Sequence, residues 1–187
     1  MKAPVVSARQ AFAGLLAAIA LTLFAVAALA QTEAATDNFL WGKVVGVEDG
    51  DTIAIKDDQG KTSRIQMAYI DAPDYDYSAK KAQPLQGDSR KKLEQLVLGK
   101  DVIVESFGVD QFDRVVGMVF LDKLNVNVEM VRTGMAEIYQ PIRLNPGRHK
   151  KYYVEQLVEA EKLAKEKKEG IWGEPDYISP FLFRRRQ

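Results

Sequence analysis

Residues 48–52 read Glu-Asp-Gly-Asp-Thr, and residues 70–74 read Ile-Asp-Ala-Pro-Asp. Each acidic cluster stands beside a turn signal at the end of a short apolar stretch. Carboxylates gathered in this way are hard oxygen donors, suited to a divalent cation that takes carboxylate, carbonyl and water ligands in a flexible shell. The same aspartates can equally serve as turn residues whose side chains satisfy backbone N–H groups. Residue types alone leave both readings open. The single histidine, His149, excludes a multi-histidine metal site.

The elements that must carry these clusters follow from periodicity and punctuation. Trp41–Val47 is short and β-branched, Thr52–Lys56 alternates, and Thr62–Ile70 reads as a third strand. Two tight turns, 48–51 and 57–60, join them into a meander, and Pro73 forces the chain out of the sheet. Residues 74–83 read as loop. A helix is expected from Pro84, with Leu85, Leu93, Leu96 and Val97 on one face and Gly99 as its stop. Asp101–Phe107 and Arg114–Phe120 read as two more strands, and Val126–Thr133 as a short helix ending at Gly134. Residues 141–147 read as an irregular loop. Tyr153, Leu157, Ala160 and Ala164 mark a long final helix stopped by Gly170, with Ile171 and Trp172 packing back on the core. Five strands and about three helices make an α+β plan, compatible with a five-stranded OB-fold β-barrel.

Residues 1–30 are set aside. Lys2 and Arg9 precede an uncharged apolar run that ends in Ala28-Leu29-Ala30, the pattern of a secretory signal peptide cleaved after Ala30. The run is also about as long as an uncleaved anchor requires. Cleavage would leave residues 31–187 secreted or periplasmic and without stable membrane contact. Residues 31–40 then form a flexible leader, 41–173 the folded domain and 174–187 a C-terminal tail. That length is one domain, expected as a monomer. The absence of cysteine leaves the core to carry the fold without disulfides. The chain has 26 basic and 26 acidic residues; losing Lys2 and Arg9 leaves a balance of −2. This is not the strongly basic surface of a tight nucleic-acid binder.

Six segments, in order, resemble the thermonuclease (staphylococcal-nuclease-like) family: 47–52 VEDGDT, 69–74 YIDAPD, 83–102 QPLQGDSRKKLEQLVLGKDV, 110–114 DQFDR, 127–139 NVEMVRTGMAEIY and 159–172 EAEKLAKEKKEGIW. The resemblance implies an OB-fold barrel with three helices that hydrolyses DNA or RNA with calcium. It implies that Asp51, Asp71 and the carbonyl of Ala72 hold Ca²⁺, that Arg114 faces the phosphate, and that Tyr139 contacts the substrate.

Some matching positions depart from the family pattern. Gln66 stands where a catalytic arginine is usual, and Asp74 where a glutamate positions the attacking water. Gln111, Phe112 and Glu137 replace residues of the family's nucleotide face. A glutamine donates a neutral hydrogen bond without a charge, and loss of one such preorganised group costs roughly 10²–10³ in rate. Arg64, two residues before Gln66 on the same strand face, is a candidate replacement. The expected function is an exported calcium-dependent nuclease weakened at Gln66 and Asp74. The alternative is a catalytically inactive module of the same fold that binds nucleic acid, another anionic ligand or a protein.

Overall fold

A computed structural model describes residues 38–76, 78–144 and 150–185. The expected signal segment and most of the leader lie outside the described residues. In chain order the strands are β1 (Phe39–Val47), β2 (Thr52–Lys56), β3 (Thr62–Met67), β4 (Ile70–Asp71), β5 (Tyr75–Asp76) and β6 (Lys81–Ala82). Helix α1 (Gln86–Val97) follows, then β7 (Asp101–Val109), β8 (Val115–Leu121) and β9 (Leu124–Asn125). The chain continues with α2 (Val126–Arg132), β10 (Glu137–Ile138), α3 (Gln140–Leu144), α4 (Lys151–Lys167), a 3₁₀ turn (Gly170–Gly173) and α5 (Pro180–Arg184).

The main sheet runs β3-β2-β1-β7-β8, with β9 beyond β8. It closes on itself where β3 pairs in parallel with β8, Ile65 opposite Val115 and Met67 opposite Gly117. The result is a closed five-stranded barrel with, among the described residues, five helices, the OB-type α+β fold. Val44, Ile53, Ile55, Ile65, Met67, Val104 and Val119 fill the interior. Leu93 and Val97 of α1, Val126 and Met130 of α2, and Leu157 of α4 extend that core outward.

Two local features position the acidic clusters. The expected strand 62–70 is interrupted: Tyr69 adopts a left-handed conformation (φ 70°), which ends β3 at Met67 and redirects the chain into β4. β4 then pairs with β10, placing Asp71 opposite Glu137. Asn127, fully buried at the start of α2, fastens this corner. Its Nδ2 donates to the Ala68 carbonyl at 2.8 Å, and its Oδ1 accepts from the Val119 amide at 2.9 Å. The second feature is Gly50. A Cβ there would stand 1.9 Å from Ser89 Oγ and 2.7 Å from Ala72 Cβ. The turn can therefore lie flat against α1 and the Ala72 segment only because the residue has no side chain.

Four other local expectations change. Leu85 is not on the face of α1; it is the residue before the helix, in a left-handed conformation. Residues 75–82 contain a small two-stranded ribbon, β5–β6, within the expected loop. Residues 141–144 of the expected irregular stretch lie in α3, and residues 180–184 of the tail form α5.

Candidate functional site

The two acidic clusters converge on one cleft of about 730 Å³, lined among others by Asp49, Asp51, Gln66, Asp71, Ala72, Asp74, Arg114, Tyr139 and Arg184. Seven of the eight residues singled out in the sequence line it. Arg64 lies outside this lining, and its guanidinium pairs with Glu48.

Asp51 is buried at the end of the 48–51 turn. Its Oδ2 accepts from the Ala72 amide at 2.9 Å, and its Oδ1 accepts from Gln66 Nε2 at 2.9 Å. The Thr52 hydroxyl lies 3.1 Å from the same Oδ1. Gln66 is thus oriented by its cross-strand neighbour Thr52 and spends its amide on Asp51. Burial, and then the charges of Asp49 and Asp71, push the Asp51 carboxyl well above the ordinary carboxylate range. Asp49 supports the turn, accepting the Asp51 amide at 3.0 Å.

Asp71 is also buried, and burial pushes its carboxyl up against the opposing pull of Arg184. That arginine comes from α5, in the segment read as a tail. Its two terminal nitrogens bind both Asp71 oxygens, at 2.9 and 2.7 Å, and one also reaches Asp74 Oδ2 at 3.1 Å. Asp74 is half-buried, and its other oxygen accepts the Tyr75 amide at 2.7 Å. Arg114 lies over the Phe112 ring and pairs with Asp110 at 2.8 Å. Tyr139 packs edge-on against Phe181, ring centres 6.5 Å apart.

The donor set fits a hard cation. Two carboxylates held out of water and facing one cleft repel each other, and a positive ion relieves that cost. The cleft has already drawn one positive group, Arg184, onto Asp71. Among the described residues no three His, Asp or Glu side chains cluster tightly enough to hold an ion unaided. A bound ion would therefore keep an open shell completed by water, a carbonyl or a ligand oxygen.

A family model described as "Staphylococcal nuclease homologue" matches residues 64–174. The chain belongs to the staphylococcal nuclease family. It is 35% identical over 147 residues to an "Uncharacterized endonuclease" of Escherichia coli, covering 78% of this chain and 86% of that protein. A second protein of that name, from Haemophilus influenzae, is 31% identical over 145 residues, with 78% and 73% covered. A "Micrococcal nuclease" of Shigella flexneri is 30% identical over 157 residues, with 77% and 80% covered. Family membership accounts for the barrel; the matched span includes Asp71 and begins after Asp51. The matched span ends before α5, which carries Arg184.

Sequence reasoning missed two site residues. Glu137 was read only as a lost nucleotide-face residue; it is a buried anchor that accepts from Tyr177 and Ser179. Arg184 falls in the segment 174–187, whose sequence reads only as a tail. The signal for its element was present, since Ser179-Pro180 before Phe181-Leu182-Phe183 is a helix start with proline in the first turn.

Proposed function

We propose that this chain is an exported, calcium-dependent nuclease that hydrolyses DNA or RNA phosphodiesters. The observation that carries the reading is the pair of buried carboxylates, Asp51 and Asp71, on one cleft with Arg114 and Tyr139, in a chain whose relatives are named as nucleases. Asp51 and Asp71 would hold the ion, with the Ala72 carbonyl beside them. Bound calcium would supply positive charge to polarise a phosphate oxygen.

The chain's own residues supply the rest. Arg114 offers a planar fork that grips phosphate oxygens without losing its charge. Asp74 is the carboxylate available to orient or accept a proton from the attacking water. Gln66 holds Asp51 in place through a neutral bond and contributes no charge to the substrate. Tyr139 offers a ring to a base or sugar at the cleft edge. The apolar run before residue 31 supports export.

A second reading, a binding module without catalysis, is favoured by one observation: both arginines lining the cleft are already paired, Arg114 with Asp110 and Arg184 with Asp71. One experiment separates the two. The full chain is incubated with single-stranded DNA and RNA, with calcium or with a chelator, beside an Asp51→Ala, Asp71→Ala variant. Calcium-dependent cleavage that vanishes in the variant is the expected result. A folded protein that binds but never cleaves would leave only the second reading.

A further inference from the structure

The C-terminal segment is built into the cleft. Tyr177 and Ser179 both donate to the buried carboxylate of Glu137, whose backbone pairs with that of Asp71. Gln83, itself buried, donates to the Ile178 carbonyl at 2.8 Å and accepts from the Asp74 amide at 2.7 Å. Pro180 is buried and Phe181 packs on Tyr139. These anchors fix the start of α5, and its last residue, Arg184, falls on the site. The anchors connect directly to the backbone of the two acidic residues that Arg184 binds.

Arg184 makes a bidentate fork that occupies both oxygens of Asp71, with a further bond to Asp74. While the fork is in place, one lone pair on each Asp71 oxygen is taken, and an ion must compete with the guanidinium for that carboxylate. A guanidinium and a divalent ion side by side would also repel each other. The Arg184 side chain keeps 38% of its surface in water, so it has a route out.

We propose that Arg184 is a built-in counter-cation that sets the affinity of the cleft for a divalent ion by competing with it for Asp71. The proposal rests on the reading of Asp51 and Asp71 as cation ligands. Charge balance supports it. Four aspartates, 49, 51, 71 and 74, crowd one cleft, and a tethered positive group offsets part of their charge until an ion arrives. When only a fraction of molecules have Asp71 free, the apparent dissociation constant rises by the inverse of that fraction; an arm docked nine-tenths of the time weakens binding about tenfold.

Calcium is titrated calorimetrically into the full chain, into Arg184→Gln, and into an Asp51→Asn, Asp71→Asn double variant. Arg184→Gln is expected to bind about tenfold more tightly than the unaltered chain, and the double variant not at all. Equal or weaker binding by Arg184→Gln would overturn the counter-cation role while leaving the cation site standing. No binding by either the unaltered chain or Arg184→Gln would overturn the cation site and this proposal with it. A Tyr177→Phe, Ser179→Ala variant keeps Arg184 but loosens its tether to Glu137. It is expected to tighten calcium binding by a smaller factor, and an unchanged affinity would refute the part assigned to the arm.

Discussion

Asp51 accepts a neutral N–H donor on each oxygen, whereas Asp71 is met by a full positive charge. The two carboxylates look equivalent in the sequence, but their environments make them different groups. The acidic pair was legible because both aspartates sit in short motifs with their own turn signals. The partners were not: Gln66 reads as a lost arginine, and Glu137 as a lost nucleotide-face residue, because a one-dimensional comparison sees what is absent rather than what the new residue binds. Away from the cleft, Glu105 is a measurable case. Burial would raise its carboxyl, but Lys150 and Tyr153 bind it and hold it below 4.5. The unfolded chain then carries more protons on this group than the folded one at acid pH. Its contribution is therefore present above pH 4.5 and is lost as pH falls through the folded value. Glu105→Gln is expected to flatten that part of the stability profile, measured as urea midpoint against pH, and to leave the dependence near neutrality unchanged.

The long strands and the helices α1 and α4 were readable because each repeats its pattern over several residues. The break at residues 68–69 was not, because a tyrosine in a left-handed conformation carries no turn signal of the kind glycine gives. The short elements β4, β10 and α3 are equally opaque, since they exist through their partners rather than through periodicity. Asn127 shows how such an element is held. It joins α2 to the Ala68 corner and to β8, and so fixes the strand that ends in Asp71. Asn127→Ala would leave the Val119 amide and the Ala68 carbonyl buried without that partner, at about 1–3 kcal/mol for each unsatisfied group. A lowered urea midpoint, with weakened calcium binding from a displaced β4, is the expected outcome.

At the scale of the molecule, a closed barrel leaves its catalytic candidates on the rim, where loops and both chain-terminal halves meet. If the cleft takes calcium, folded stability must depend on it. At a calcium concentration one hundred times the dissociation constant, the gain is about 2.7 kcal/mol. Denaturation midpoints with calcium and with a chelator should differ accordingly, and should coincide in the Asp51→Asn, Asp71→Asn variant. The arm has a temporal consequence as well. Arg184 lies 113 positions after Asp71, and the last barrel strand, β8, is complete at Leu121. Residues 122–184 must still be made, which takes about 3–13 s at roughly 5–20 residues per second. During biosynthesis Asp71 therefore exists for seconds before its guanidinium is made, and any cation it meets in that interval comes from solution rather than from the chain.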